Sequence, residues 1–502
     1  MTDSPDTDDL TPPTPSDRSV NVTDGRLLVP MFVLSAPIVL SYSLDVVYYI
    51  VDLYWIGYLG TDAVAAMSYS WPVIFLVISL GFGITTAGTV LVAQAKGADR
   101  IDRSHHVAGQ TFTFVTLVSL VFAGGGYLLA PTLLALIGAT PGTDPHVLAV
   151  RYTRISFLGL TPVFWFFVFD SIARGWGDTR TPLYLMAVSV AVNLLIDPFF
   201  IHGFSDNPIF GWLALETIER QLFELTAFEG WGVAGAAVAT VLSRATAGGI
   251  GLYLLFSGRL GITFSWSDLP IDRETILQIL DIGVPTSFEM GLRSMGIAVL
   301  TAIIAIEGDT AVAAYGISEY LAALVFLPAL GLARGTETVV GQNLGAAQVH
   351  RARRAVYYSG VFVMSIMVVA VAIAYPFAES IVSFFLAGGT EAGNVNEVIR
   401  IGAAYIWIVG PSYILYGVLQ VILGAFRGSG HTRLALFFAG AEMWIVRIPL
   451  CLIFLTWTDL GILGVWYAFA ISFVLVGLSA LLWFARGTWT VPRGNATLQP
   501  EY

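Results

Sequence analysis

The sequence predicts an all-α polytopic membrane protein whose twelve transmembrane helices form two pseudo-symmetric six-helix bundles. Three observations predict this fold. The chain is 56% hydrophobic and only 12% charged, with a mean hydropathy of +0.77, whereas soluble domains carry about 25% charged residues. Apolar runs of ~20 residues, the length that crosses a bilayer as an α-helix, recur along nearly the whole chain. Several motifs of the first half also return, in the same order, in the second half.

Twelve apolar runs are the candidate helices. They are too long and too uniformly apolar for the ~10-residue alternating strands of a membrane β-barrel. Several exceed the length that a bilayer needs, so we expect tilted or kinked helices. The runs cover residues 27–55, 63–95, 107–131, 148–172, 181–203, 232–257, 275–304, 311–343, 353–376, 398–425, 434–456 and 461–485.

The candidate helices divide the chain into two lobes joined by a polar linker. The first residues are acidic and rich in Pro and Thr, which is typical of a disordered tail and not of a secretory signal. The predicted domains are an acidic cytoplasmic tail (1–26), an N-lobe with helices 1–6 (27–257) and an extracellular insertion (203–231), a cytoplasmic linker (258–274), a C-lobe with helices 7–12 (275–485) and a cytoplasmic C-terminal tail (486–502).

The basic residues predict the orientation in the membrane. Most Arg and Lys residues fall on one side of the predicted helices, and the positive-inside rule places that side in the cytoplasm. Arg174, Arg244 and Arg427 are counted among these cytoplasmic residues. We therefore expect a multi-pass protein of the plasma membrane with both termini in the cytoplasm.

The two halves of the chain repeat each other. Because each repeat has an even number of helices, the halves should insert with the same orientation, around a pseudo-twofold axis along the membrane normal. Two such bundles around a central cavity form an architecture of transporters that work by alternating access. A shift of 248 positions aligns "GTDAVAA" (60–66) with "GDTAVAA" (308–314) and "VLVAQAKGA" (90–98) with "TVVGQNLGA" (338–346); with small gaps, "RGWGDTR" (174–180) pairs with "RGSGHTR" (427–433).

Polar side chains interrupt the apolar runs of the first half. Asp45 and Asp52 lie two helical turns apart in helix 1, and Asn193 and Asp197 lie one turn apart in helix 5. Thr240 adds a hydroxyl from helix 6. A charged group at the bilayer centre costs about 2.5–3.5 kcal/mol, so each is a functional candidate. These hard oxygen donors suit Na⁺ or a proton, and a bound cation would relieve the repulsion between buried carboxylates.

Structural explanations for the same residues stay open. Asp52 is close to the outer end of its helix, where it could cap the helix or extend to the interface. Asp197 and Pro198 could form only a kink. The Thr240 hydroxyl could bond to its own helix backbone.

The second half lacks these groups and carries other charges. The spacings of Glu289 with Arg293, and of Arg334 with Glu337, favour ion pairs within the lobe. Alternatively, Glu289, Arg293 and Glu319 face a substrate cavity, in which the carboxylates attract cationic compounds. Tyr48 and Tyr49 could offer π faces to such cations, or they face lipid and anchor the helix at the membrane interface. The complete set is Glu289, Arg293, Glu319, Arg334, Glu337, Glu442 and Arg447.

The order of motifs resembles the MATE family of multidrug and toxic compound extrusion transporters, and in particular its prokaryotic DinF-like branch. The motifs are "YYIVDLYWIGYLG" (48–60), "RGWGDTRTPL" (174–183), "NLLIDPFFIHG" (193–203), "GAAVAT" (235–240) and "LVFLPALGLARGTETVVGQNLGA" (324–346). The resemblance implies an antiporter: Na⁺ or H⁺ enters as an organic, cationic compound leaves, with no further cofactor. It also implies that Asp52, Asn193, Asp197 and Thr240 bind the coupling cation and that Tyr48 lines the N-lobe cavity. Asp45 stands where members of the family more often carry an amide.

Other function classes fit the sequence less well. A flippase for lipid-linked oligosaccharides needs a basic cavity, and only Arg293, Arg334 and Arg447 could provide one. An enzyme is not expected, because the histidines lie near helix ends without metal-binding spacing. A major-facilitator carrier would lack the motifs above. The expected partners are a small organic substrate, a monovalent cation and the lipid bilayer, but no nucleic acid, and we expect a monomer.

Overall fold

The computed structural model describes residues 19–205, 207–386, 395–491 and 493. Each of the twelve predicted runs corresponds to a helix or to a bent or interrupted helix, so the prediction of an all-helical membrane fold is confirmed. The helices are α1 (Leu28–Gly57), α2 (Thr61–Gly97), α3 (Ile101–Leu136), α4 (Asp144–Leu158 and Leu160–Trp176), α5 (Arg180–His202), α6 (Val233–Phe256), α7 (Arg273–Ile304), α8 (Asp309–Gly345), α9 (Val349–Ala374), α10 (Val395–Val409 and Tyr413–Gly428), α11 (Thr432–Gly440 to Ile448–Trp457) and α12 (Ile462–Ala485).

Three helices are interrupted. The two parts of α4 meet at 51° around Gly159, where Pro162 has no N–H to donate to the carbonyl of Leu158. In α10, a 3₁₀ turn at Gly410–Ser412 contains a proline. A π-helical turn covers Ala441–Arg447 in the middle of α11.

Each lobe packs around its own apolar core. Buried aromatic side chains such as Phe157, Phe164 and Phe169 belong to the core of the N-lobe, and Phe426 and Trp466 belong to that of the C-lobe. The lobes meet where α1 and α2 pack against α7 and α8. These four helices therefore carry any motion of one lobe against the other.

Two equivalent hydrogen bonds cross one end of this interface, one donated by each lobe. The Gln94 side chain in α2 donates to the carbonyl of Gly428 at 3.1 Å. The Gln342 side chain in α8 donates to the carbonyl of Gly175 at 2.9 Å. Gln94 and Gln342 are equivalent in the repeat, as are Gly175 and Gly428, so the two hydrogen bonds are related by the pseudo-symmetry. We call this contact layer the lobe seal.

Two glycines allow the helices of the lobe seal to touch. A Cβ at Gly97 would lie 2.7 Å from the Cα of Gln342, and one at Gly345 would lie 3.0 Å from the Cα of Gln94. Real Cβ contacts are rarely so short. The glycines of "AKGA" and "NLGA" are therefore explained by close backbone approach between the lobes.

The insertion after α5 is helical. It contains the short helices Pro208–Trp212 and Glu216–Thr226. The Asn207 side chain attaches it to the end of α5 by donating to the carbonyls of Pro198 (3.1 Å) and Gly203 (2.8 Å).

The linker packs on α3 of the N-lobe. The Gln110 side chain donates to the carbonyls of Asp268 and Pro270, both at 2.7 Å. Phe264 is buried and stacks on Phe112 with 5.4 Å between the ring centroids. The linker thus moves with the N-lobe.

The segment before α1 contacts both lobes. The predicted tail at 1–18 and the last residues, 494–502, lie outside the described residues. Residues 19–26, expected in the same tail, are instead packed: the Val20 N–H donates to the carbonyl of Gly177 at 3.1 Å. Arg351 of the C-lobe donates to the carbonyls of Val22 (2.9 Å) and Gly25 (2.8 Å).

Candidate functional site

Four polar side chains from α1, α5 and α6 meet inside the N-lobe. We call Asp52, Asn193, Asp197 and Thr240 the N-lobe cluster. Asp52, Asn193 and Asp197 are 2%, 1% and 0% exposed. The Thr240 hydroxyl donates to Oδ2 of Asp52 at 3.2 Å, and Asn193 and Asp197 are near neighbours of the same carboxyl. The structure thus brings together all four residues that the family resemblance assigned to the cation.

Most polar atoms of the N-lobe cluster have no hydrogen-bond partner among the described residues. These atoms are Oδ1 of Asp52, both carboxylate oxygens of Asp197 and both amide atoms of Asn193. Buried polar atoms are nearly always hydrogen-bonded, because an unpaired one loses its hydration without compensation. The oxygen donors fit a proton or a monovalent metal ion. Within the described ranges, no three His, Cys, Asp or Glu side chains converge as in sites for multivalent metals.

Tyr48 provides a second contact between α1 and α6 next to the cluster. It lies one turn before Asp52 and is 1% exposed, and its hydroxyl is 2.8 Å from Oγ of Ser243. Tyr49, in contrast, is 39% exposed and packs edge-on against Trp71, with 4.7 Å between the ring centroids. Both tyrosines line the central cavity described below.

Asp45 does not join the N-lobe cluster. Its Oδ1 pairs with Nη2 of Arg244 at 2.6 Å. Arg244 lies inside α6, is 7% exposed and lies 4.8 Å from the Tyr48 ring. The assignment of Arg244 to a cytoplasmic loop is therefore wrong. Its position within the apolar run 232–257, one turn after Thr240, was the signal that could have placed it in the membrane.

Two other arginines counted as cytoplasmic are also buried. Arg174 forms an ion pair with Asp170 at 2.8 Å near the end of α4. Arg427, at the end of α10, lies 2.7 Å from Glu289 and 3.3 Å from Glu337. Both side chains are buried and do not lie in a solvated loop.

A central cavity of about 350 Å³ lies between the lobes. Its N-lobe wall is rich in aromatic side chains and includes Asp52. Asn193 and Asp197 are not part of the wall, so they lie behind Asp52 as seen from the cavity. The aromatic side chains of both lobes that line it are Tyr42, Tyr48, Tyr49, Trp71, Phe75, Phe82, Tyr152, Phe167 and Tyr416.

The charged groups of the cavity wall are mostly paired. Glu289 pairs with Arg427 and not with Arg293, the partner that its spacing suggested. Arg334 pairs with Glu337 at 3.1 Å, as its spacing suggested. Arg293 has no ion pair within 4.0 Å among the described residues. The pairs around the cavity are Asp45–Arg244, Glu289–Arg427, Arg334–Glu337 and Glu442–Arg447.

Glu319 lies apart from the central cavity. It lines a smaller cavity of about 180 Å³ within the C-lobe, which we call the C-lobe pocket. Tyr315, Tyr413 and Arg447 contribute to the same pocket. Arg293 lines both cavities.

Comparisons with known proteins identify the family and the fold. The family model MatE matches residues 37–199 and 285–453, one segment in each lobe. The probable multidrug resistance proteins YoeA and YpnP of Bacillus subtilis (strain 168) are 31% and 26% identical, over 90% and 94% of this chain and 93% and 98% of theirs. The same fold is found in a MOP superfamily transporter from Pyrococcus furiosus, with a TM-score of 0.82 at 23% identity. The match covers 93% of this chain and 97% of that one. For that transporter, a reverse polarity of the binding pocket suggests a different function. The chain therefore belongs to the MATE family of membrane transporters and is not an enzyme.

Proposed function

We propose that the chain is a multidrug efflux antiporter that exchanges Na⁺ or H⁺, bound at the N-lobe cluster, for an organic compound bound in the central cavity. The observation that carries this proposal is the cluster itself, in which two buried carboxyls and an amide have oxygen atoms without partners. A bound cation interacts with these oxygen atoms. When the cation leaves, the oxygen atoms are again buried without a partner, which costs free energy.

The position of the cluster links occupancy to conformation. Asp52 belongs to α1, which also packs against α8 of the other lobe. Asp197 directly precedes Pro198, where α5 lacks one backbone hydrogen bond and bends more easily. A cation that draws α1, α5 and α6 together therefore changes the surface that the N-lobe presents to the C-lobe. Occupancy then favours one of the two lobe arrangements, which is the requirement for coupled exchange.

The central cavity defines the cargo only broadly. Its volume is in the usual range of about 300–1,000 Å³ for sites of drug-sized molecules, and its aromatic wall suits planar compounds. Relatives that carry the name of probable multidrug resistance proteins support a range of organic compounds. A cationic charge on the cargo stays a prediction, and outside the cluster every wall carboxylate already has an arginine partner.

The finer predictions stay predictions: the DinF-like branch, the cytoplasmic termini, the monomeric state and the choice between Na⁺ and H⁺. The flippase alternative gains no support, because Arg334 and Arg447 are neutralised by Glu337 and Glu442. Among the described residues, a pyrophosphate group would find Arg293 as the one wall arginine without a carboxylate partner, instead of a basic surface.

Transport by the purified protein in liposomes tests the proposal. Ethidium uptake or release is followed by fluorescence while a Na⁺ gradient or a pH gradient is imposed separately. We expect one of the two gradients to drive transport. Asp197→Asn should reduce the driven rate at least about tenfold, because an amide has no negative charge that a bound Na⁺ or H⁺ could neutralise. Asp62→Asn, at the exposed start of α2, is the control. The proposal is refuted if neither gradient drives transport or if Asp197→Asn stays fully coupled.

A further inference from the structure

Arg293 has an unusual position among the charged groups of the membrane region. It projects from the middle of α7 and lines both the central cavity and the C-lobe pocket. Its side chain is exposed to these cavities. In the part of the chain that the structure describes, no carboxylate lies within 4.0 Å of it, whereas Arg244, Arg334 and Arg427 each have such a partner.

The acidic groups that act on Arg293 by their charge do not pair with it. Glu442 and Glu319 are close enough to act on Arg293 by their charge. Glu442, however, is bonded directly to Arg447. Glu319 lies beside Tyr315 and Tyr413 in the C-lobe pocket and has no arginine within 4.0 Å among the described residues. The guanidinium of Arg293 therefore keeps its donors free towards the cavity.

A free guanidinium at the edge of an aromatic cavity is suited to one kind of ligand group. Its planar fork binds a carboxylate through two parallel hydrogen bonds. The Tyr416 ring, 5.8 Å from the Arg293 guanidinium carbon, restricts the approach to one side. A single carboxylate balances the single charge of Arg293, whereas the second charge of a dianion would find no further arginine without a carboxylate partner in the described part of the cavity wall.

We propose that Arg293 is the binding site for a carboxylate carried by an aromatic cargo molecule. The aromatic body lies against the wall formed by Tyr49, Trp71 and Phe75, and its carboxylate reaches Arg293 across the cavity. The inference rests on the proposed function in one respect, namely that the cargo occupies the central cavity. It favours aromatic acids and zwitterions over simple organic cations.

Two dyes with one ring system test this proposal. Rhodamine 110 carries a free carboxylate, and rhodamine 123 is its methyl ester. Binding of each dye to the purified protein in detergent is measured by fluorescence anisotropy, without any ion gradient. We expect the wild type to bind rhodamine 110 more tightly, and Arg293→Gln to weaken this binding about 10- to 100-fold, the usual effect of losing a hydrogen bond between charged groups.

The controls separate charge recognition from damage to the fold. Arg293→Gln should still bind rhodamine 123 like the wild type, and Arg293→Lys should retain part of the preference for rhodamine 110. Arg400→Gln, at an exposed pair with Glu397, should change neither affinity. The proposal is overturned if the wild type binds neither dye or does not prefer rhodamine 110, or if Arg293→Gln affects both dyes alike. Because no gradient is used, failure of ion coupling in the liposome experiment would leave this result standing.

Discussion

Replacing Gly345 by alanine will separate the lobes at the lobe seal. The added Cβ would lie 2.9 Å from the carbonyl carbon and 3.0 Å from the Cα of Gln94, and it would overlap the carbonyl oxygen of the same residue. All three atoms belong to the backbone of α2. Neither helix can relieve the overlap by turning a side chain, so the lobes have to move apart.

The size of the effect follows from these distances. An ordinary van der Waals contact begins at 3.4 Å, so the lobes must separate by at least about 0.5 Å. If the hydrogen bond from Gln94 to Gly428 lengthens equally from 3.1 Å, it reaches about 3.6 Å and is lost. Overpacking costs about 1–3 kcal/mol and the lost bond about 1 kcal/mol. A change of ~2 kcal/mol shifts the balance towards the separated arrangement by at least tenfold.

Cysteine labelling measures this shift. Cys451 is the single cysteine and is buried, so Cys451→Ala provides the background. A cysteine introduced by Thr338→Cys lies between the lobes, where Thr338 is 1% exposed and bonds to the carbonyl of Arg174 at 3.2 Å. We expect Gly345→Ala to raise the rate of maleimide labelling about tenfold. Gly316→Ala in the same helix, where a Cβ would meet nothing within 4 Å, should not change it. Equal labelling rates in the two variants would refute the reasoning.

Two further predictions concern folding stability in detergent. Asp45→Asn and Arg244→Gln should each lower the melting temperature by about 2–4 °C, because each leaves a charge without its partner, and the double variant should recover most of the loss; strictly additive losses would contradict a direct pair. Burial and the nearby Arg493 lower the pKa of His431, in the loop before α11, from 6.5 to about 4. The unfolded chain therefore takes up this proton more easily, so stability present at pH 7 is lost as the pH falls from 6.5 towards 4. His431→Gln should flatten the melting temperature across this range, and an unchanged slope would exclude the histidine as its cause.

The sequence predicted the helices because a membrane leaves few alternatives. An apolar run of sufficient length must satisfy its backbone internally, and the helix is the only local way to do so. The repeat also predicted that Gln94 and Gln342 are equivalent. Their purpose became visible only in three dimensions, since each residue bonds to the other lobe across a large separation in sequence.

Spacing predicted the partner of Arg334, which is Glu337, but not the partner of Glu289. Glu289 and Arg293 are four residues apart in one helix, yet Glu289 pairs with Arg427, 138 positions away. Helical neighbours on a surface gain only about 0.2–0.5 kcal/mol from such a pair, so a buried partner on a facing helix prevails. Asp45 shows the same effect, because Arg244 approaches it from α6.

The N-lobe cluster was the most predictable part of the site. Asn193 and Asp197 share a helix face by spacing alone, and a carboxylate within an apolar run requires a reason. Their approach to Asp52 depended on how α1 packs against α5 and α6, for which helical periodicity gives no distance. The family resemblance supplied that step.

The π-helical turn in α11 makes the register of the chain part of the C-lobe charge balance. Glu442 and Arg447 are five residues apart, which in an α-helix places them about 140° apart around the axis. In a π-helix the backbone bonds connect residues five apart, so the two side chains lie one above the other. Such a turn amounts to one additional residue within an otherwise regular helix. Deletion of one residue between Glu442 and Arg447 would therefore remove the wide turn and leave the two residues four apart, a spacing at which they still face each other in a regular α-helix. The π-helical turn thus accommodates one additional residue in α11 while the ion pair of the C-lobe is kept.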